Sequence, residues 1–372
     1  MRIRPLAALA GFTLTLGILN AAPASAATTW TPPVNLSATG ADAEAPELAT
    51  SVDGRFAVAA WTRDGQMQSA TFQDGVWSAT LDMGGDAEYP DLAVSADGST
   101  AWLVWQVMAE QGVPLHHDVR AELPCLASFE APIRLGQLLR HTAGVPDYLF
   151  LWSCQLGHHE NDFVSQEAAL ALIQRAGSTD HPPGERHVYS NSHYVLLAEW
   201  LRVRTGQDLA ALSQSRLWGP WGLAGTGFCA DPWAVMPGKA RSYERLEDAG
   251  GPAWRESAVN LGSWGDGGLW MSLADALAAE CRLMGPDPLA PHALAPLVAV
   301  DAQDPAGGYG LGLERVSWQD TEAWFHGGAY AGFASLCLRV PSRRWALVHL
   351  SNREGGAWRA SAIAQVLEPV LR

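Results

Sequence analysis

The chain has 372 residues, 48% of them hydrophobic and 17% charged, and a formal net charge of −15. That length exceeds what one hydrophobic core usually serves, so about two domains are expected. The acidic balance argues against nucleic acid or an anionic membrane surface as a partner.

In chain order, the first segment reads as a targeting signal. Arg2 and Arg4 precede an apolar run from Leu6 to Leu19 and the small-residue stretch Ala24-Ser25-Ala26, the pattern of a secretory signal peptide over residues 1–26. A mature chain starting at Ala27 is expected, and the loss of two arginines and no acid takes its formal charge to −17. The apolar run is too short to span a bilayer, and no later one reaches the length of about 18 residues that a span needs. The expected location is extracellular, either released or associated with the cell wall. In an exported chain Cys125, Cys154, Cys229, Cys281 and Cys337 leave disulfides open, with at least one cysteine unmatched. No CxxC pair and no HExxH occurs, and the doublets His116-His117 and His158-His159 are adjacent residues that rarely converge on one metal, so neither a metal nor another cofactor is expected.

An internal repeat follows. Glu44–Trp61, EAPELATSVDGRFAVAAW, aligns without a gap on Glu88–Trp105, EYPDLAVSADGSTAWLVW, at an offset of 44. Each copy runs from a short apolar stretch through Asp-Gly to a closing tryptophan, which predicts a hairpin in each. The period resembles a β-propeller blade, but two copies cannot close a propeller, and stacked repeats generally need about three. Residues 27–106 are therefore expected to form a short all-β repeat segment. A small wall- or sugar-binding module and a remnant of a longer repeat protein both remain open for it.

Near Gln106 the pattern changes to longer helical periods separated by Gly and Pro. After Ser192 the residues Leu196, Leu197, Trp200 and Leu201 form one apolar side of a helix that ends at Gly206, which puts Tyr189 and Asn191 in the loop before it. Ser272 and Asp275 predict a capping-box start for the next helix, and Gly267-Gly268 a close backbone approach. Leu336, Leu338 and Val340 alternate before a Pro-Ser-Arg turn and the run Trp345–Leu350, a strand pair. Ile363, Val366, Leu367 and Val370 predict a final helix.

Five strings in this region carry a resemblance: EQGVPLHHDVRAELP with IRLGQLLRHTAGVPDY (Ile133–Tyr148), YSNSHYVLLAEWL, GDGGLWMSLADAL (Gly265–Leu277), YGLGL (Tyr309–Leu313), and HGGAYAGFASLCLRVPSRRWALVHLSN (His326–Asn352). In this order they resemble the family of class C β-lactamases, D-alanyl-D-alanine carboxypeptidases and related esterases, over roughly residues 108–372. The resemblance implies an α+β fold, an antiparallel sheet flanked by helices plus a helical lobe, and no cofactor. It also implies an acyl-enzyme mechanism in which the serine of S-x-x-K attacks a carbonyl while the lysine and the tyrosine of Y-x-N move the proton. Tyr189-Ser190-Asn191 matches Y-x-N. His326-Gly327-Gly328 matches the third motif on an edge strand, and backbone at Gly328 and Ala329 would supply half of an oxyanion hole. Read singly, Tyr189 also fits a loop tyrosine, Asn191 a helix cap and His326 a strand-end residue facing water.

The nucleophile motif is missing. The chain has one lysine, Lys239, with Met236 three residues before it. Counting back from EQG places the nucleophile at Ser95, with Gly98 where the lysine belongs, inside the second repeat copy and hence on an expected hairpin. The expectation is a truncated hydrolase domain, residues 107–372, joined to the β-repeat near residue 106 and lacking its first strands and its nucleophile helix. Its substrates would be cell-wall peptides, β-lactams or esters, turned over poorly if at all. The alternative is a non-catalytic exported protein that binds cell-wall peptide or glycan.

Overall fold

The computed structural model describes residues 43–50, 56–63, 66–73, 76–77, 81–86, 91–94, 97–159, 161–236, 238–246, 253–284, 308–318, 321–343 and 345–352. Two compact units divide the chain, Met1–Tyr89 and Pro90–Arg372. In the first, β1 (Ala43–Thr50), β2 (Phe56–Arg63), β3 (Gln66–Gln73), β4 (Val76–Trp77) and β5 (Leu81–Asp86) form an antiparallel sheet in the order β1-β2-β3-β4, with β5 also on β3. The first repeat copy is thus a strand pair, Glu47 opposite Ala60 and Thr50 opposite Ala57.

The second copy departs from its template. Its strand β6 (Asp91–Val94) pairs antiparallel with β12 (Leu269–Ser272), and Asp97-Gly98, expected as a hairpin turn, opens the helix α1 (Asp97–Gln111). No Gly, Pro, Asn or Asp follows Gly98 before Gln111, and Ala101–Val104 are at most 3% exposed. Four consecutive buried residues suit a helix surrounded by others, whereas a half-buried hairpin would leave alternate ones in water. Residues 90–106 therefore belong to the second unit, and the boundary expected near 106 lies at Tyr89–Pro90. A helix stands where the sequence suggested that one had been lost. Ser95 lies outside the described residues, two positions before the first residue of α1.

After α1 come α2 (Leu135–Leu139), α3 (Tyr148–Ser153), β7 (Val164–Ser165), α4 (Gln166–Ala176) and α5 (Asn191–Thr205). The helix α5 is the centre of this lobe and packs against α1, α2, α3 and α4. All of Ser192–Ala198 is buried, together with Trp200 and Leu201, so the expected one-sided stripe is in fact a helix enclosed on every face over its first two turns. It stops at Gly206, whose φ of 71° is the left-handed C-terminal conformation that glycine adopts without strain. Next are α6 (Leu209–Ser213), α7 (Gly219–Trp221), β8 (Thr226–Phe228), β9 (Ser242–Leu246), β10 (Ala253–Ser257), β11 (Leu261–Gly262), then β12 and α8 (Leu273–Met284). Ser272 caps α8 through its Oγ to Asp275 N–H at 3.1 Å. The Asp275 carboxylate, however, accepts from Gly225 N–H and the Thr226 hydroxyl, both at 2.8 Å, so it ties β8 to α8 in place of closing a capping box.

The main sheet runs β13 (Glu314–Trp318), β14 (Thr321–Tyr330), β15 (Phe333–Val340) and β16 (Trp345–Ser351), all antiparallel. Pairing of β13 with β14 ends at Glu314–Phe325, so among the described residues only β15 pairs with β14 from His326 to Tyr330. The motif expected on an edge strand thus sits on a strand that is interior at its start and an edge from His326 onward. Among the described residues no strand pairs with the outer side of β16. The final helix expected around Ile363–Val370 lies outside the described residues. Cys125, Cys154, Cys229 and Cys337 are free thiols.

Candidate functional site

The loop Arg140–Asp147 and the start of α5 build the helical side of the site. Gly144, at φ 72°, passes so close to the His181 carbonyl oxygen that a Cβ would sit 2.4 Å from it. This crossing brings Asp147 beneath α5. One Asp147 oxygen accepts Leu149 N–H at 2.8 Å as the N-cap of α3, and the other accepts both Asn191 N–H and Asn191 Nδ2–H at 2.7 Å. The side chain of Asn191 is therefore pinned at the first position of α5, and the N-cap itself is Ser190. Ser192 Oγ reinforces the crossing by accepting from Tyr148 N–H at 2.8 Å and donating to Pro146 O at 2.6 Å.

Tyr189 is 41% exposed. Its ring stacks on His141, with centroids 4.1 Å apart, and lies 6.3 Å from the ring of His326. His141 comes from the Leu-Leu-Arg-His-Thr-Ala-Gly string, is fully buried and has a φ of 53°, which residues other than glycine adopt rarely. Its Nδ1 accepts Ser190 N–H at 3.2 Å and lies 3.1 Å from His193 Nδ1. Its Nε2 lies 3.1 Å from the hydroxyl of Tyr309, which in turn lies 3.1 Å from His326 Nε2. His326 Nδ1 is 2.8 Å from Gly327 O. Burial, followed by the neighbouring His141, His181 and His187, holds His193 well below the usual histidine range.

A second polar group lies beside this one. Tyr148 OH donates to Asp266 Oδ2 at 2.7 Å and lies 2.7 Å from Ser263 Oγ. Burial and the Asp266 charge push this phenol well above its usual range, so it acts as a fixed donor. The chain reaches Asp266 through Gly265, where φ is 106° and a Cβ would meet Tyr194 O at 2.2 Å. The tight backbone approach assigned in sequence to Gly267-Gly268 is thus sharpest at Gly265.

The sheet side carries His326, Gly328 and Ala329, the last two paired with Ser335 and Ala334 of β15. Behind His326 is a cavity of about 70 Å³ whose walls include Gly98, Ser99, Trp102, Met271 and Leu313. At its far end Glu280 and Arg339 form a bidentate ion pair at 2.5 and 2.7 Å. A Cβ on Gly98 would meet Leu313 Cδ2 at 3.7 Å, ordinary contact, so the absent side chain is not one that packing forbids.

Tyr189 and His326 are thus brought near each other, the Asn191 side chain is bound to Asp147, and Ser95 is not described. Sequence reasoning missed the chemistry of Asp147, His141 and Tyr309, although all three lie in strings it had singled out. Among the described residues no group of His, Cys, Asp or Glu is arranged to hold a metal, and no helix is long and apolar enough to cross a membrane.

A helical lobe and an antiparallel sheet that meet at a Tyr-x-Asn and a His-Gly-Gly define the class, a serine-hydrolase scaffold. Residues 98–370 match the Beta-lactamase family, to which the chain belongs. A D-aminopeptidase of Gluconobacter oxydans (strain 621H) is 31% identical over 263 residues, 69% of this chain and 48% of the relative. The chain spans about half the length of the curated relatives it matches. Among solved structures, a D-stereospecific amidohydrolase from Streptomyces sp. superposes with a TM-score of 0.62 at 22% identity, covering 78% of this chain and 90% of that one. The octameric penicillin-binding protein homologue from Pyrococcus abyssi gives 0.66 at 18%, covering 83% and 74%.

Proposed function

We propose that this protein is an exported member of the family that binds small amides or peptides of D-amino acids in the cleft beside Tyr189 and His326 and turns them over weakly or not at all. The observation that carries this reading is the pairing of an assembled proton-transfer side, Tyr189 on His141 beside His326, with a helix that presents Gly98 where the motif needs lysine. The substrate class is suggested by the D-aminopeptidase relatives and the D-stereospecific amidohydrolase. Loss of the nucleophile machinery of a serine hydrolase costs on the order of 10⁶ in turnover, because its members act as a unit.

The test is covalent labelling of the mature chain with fluorescent penicillin and with a fluorophosphonate, alongside calorimetric titration of D-phenylalanine amide and its L enantiomer. The expected outcome is no stoichiometric adduct and measurable, D-selective binding. In Gly98→Lys, slow labelling at Ser95 is expected, abolished by Ser95→Ala. Stoichiometric labelling of the unaltered chain refutes the loss of turnover, and absence of binding by either enantiomer refutes the substrate class. Export is tested separately by the intact mass of secreted material, which should begin at Ala27.

A further inference from the structure

We infer that His193, His141 and Tyr309 form a one-way hydrogen-bond chain that fixes His326 as the neutral tautomer carrying its proton on Nδ1, and so make the cleft wall selective for uncharged amides and esters over ligands ending in a carboxylate. The inference rests on the proposal that His326 faces substrate, but its core is testable without it.

The direction follows from the two ends. A backbone N–H only donates, and Ser190 N–H points at His141 Nδ1, so that nitrogen carries no proton. His193 Nδ1, 3.1 Å from the same atom, must then be the protonated one. The neutral His141 ring holds its proton on Nε2 and donates it to the Tyr309 oxygen. Having accepted there, the Tyr309 hydroxyl donates to His326 Nε2. From the other end, a carbonyl only accepts, so the contact with Gly327 O requires the proton of His326 on Nδ1. The two ends, reached independently, agree for a neutral His326, whose proton is on Nδ1 and whose Nε2 accepts.

The chain is also hard to reverse. His193, His141 and Tyr309 are at most 2% exposed, so no bulk water is at hand to accept a misdirected proton. A proton on His326 Nε2 would face the Tyr309 hydroxyl hydrogen. Turning that hydroxyl away would leave the Tyr309 oxygen to accept from both His141 Nε2–H and His326 Nε2–H. A Tyr309 hydroxyl hydrogen directed at Nε2 favours the uncharged ring. Arg339, which lines the same cavity, is bound to Glu280 and brings no free cation. Among the described residues lining this cavity Arg339 is the one Lys or Arg, so a carboxylate at this wall would find no unpaired cation there, a costly arrangement, whereas a neutral amide needs none.

The experiment is long-range ¹H–¹⁵N spectroscopy of the full chain labelled with ¹⁵N-histidine, at neutral pH. The expected pattern is Nδ1–H for His326 and His193 and Nε2–H for His141. A charged His326, or one protonated on Nε2, overturns the inference. Tyr309→Phe removes only the linking hydroxyl, and its fold is checked by the methyl spectrum. The expected result is a mixture of tautomers at His326 with His193 unchanged, and an unaltered His326 would show that the chain does not set it. If Tyr309→Phe does not fold, the assignment in the unaltered chain alone decides. For selectivity, D-phenylalanine amide should bind at least about tenfold more tightly than D-phenylalanine, and equal affinity overturns that part. The tautomers stand or fall whether or not either compound binds, so failure of the substrate proposal is separable from failure of the chain.

Discussion

Replacing Asp147 by alanine tests the join that holds the site together. Its carboxylate accepts three N–H groups, one at the start of α3 and two from Asn191, at 2.7–2.8 Å. Loss of an N-cap costs about 1 kcal/mol, and each hydrogen bond to a charged acceptor contributes about 1.5 kcal/mol or more. Asp147 is only partly buried, and water will replace some of what is lost, so Asp147→Ala should lower stability by about 3 kcal/mol. At about 2–4 °C per kcal/mol for a unit of this size, the melting temperature should fall by about 6–12 °C. Asp147→Asn keeps an oxygen able to cap α3 but offers an amide to Asn191, and should lose about half as much. Urea and thermal unfolding of both variants supply the measurement, with D-phenylalanine amide titration as a second readout, since Asn191 would be released. If Asp147→Ala changes stability by less than about 1 kcal/mol, the carboxylate does not organise this corner and the account of how Asn191 is placed is wrong.

Three further outcomes are expected. Glu280→Ala would leave Arg339 charged and unpaired where the two side chains are 4% and 7% exposed, costing about 3–5 kcal/mol, while Glu280→Leu combined with Arg339→Met should recover most of it; denaturant titrations that show the double variant as damaged as the single one would contradict this. Gly265→Ala combines a φ of 106° with a Cβ 2.2 Å from Tyr194 O and should lose at least about 2 kcal/mol or fail to accumulate as soluble protein; a melting temperature equal to that of the parent would refute it. His193 is held below its ordinary value of 6.5 when folded. As pH falls through 6.5 the unfolded chain therefore takes up a proton that the folded chain refuses. Its contribution to stability is present above that pH and lost below it, with a slope of up to about 1.4 kcal/mol per pH unit. His193→Gln should flatten the slope between pH 6.5 and 5, and an unchanged profile would rule the residue out as its source.

The sequence made legible those elements whose pattern depends only on neighbours in the chain. Gly206 ended α5, and Leu336–Val340 and Trp345–Leu350 gave β15 and β16, because a cap or an alternation is a local signal. The second repeat copy misled because β pairing is settled by the partner. Asp91–Val94 reads like the matching residues of the first copy, yet β12 is what it pairs with, and the stretch after it is buried on too many faces to be a hairpin. Tyr189, Asn191 and His326 could be proposed from sequence because each stands in a short motif. The contacts from His141 through Tyr309 to His326 could not be, since His141 and Tyr309 are 168 residues apart, and a donor's direction depends on geometry that no spacing encodes.

Three residues of this site have a second, structural occupation. Asn191 joins α5 to Asp147, Tyr189 covers the buried ring of His141, and Tyr309 supplies a partner to two histidines. Removing any of them would leave a buried polar group unsatisfied or expose a ring, at a cost of about 1–3 kcal/mol, a large fraction of a domain's net stability. Folding alone is therefore sufficient reason to keep them. A lysine at position 98 has no such occupation, because the fold closes around Gly98 with ordinary contacts at 3.7 and 3.9 Å, and a charge beside a largely apolar cavity would itself be a burden. Once turnover is no longer required, the lysine is the member of the site that stability does not protect. On the proposed reading, the absence of lysine beside a retained Tyr-x-Asn and His-Gly-Gly is what such a release would leave.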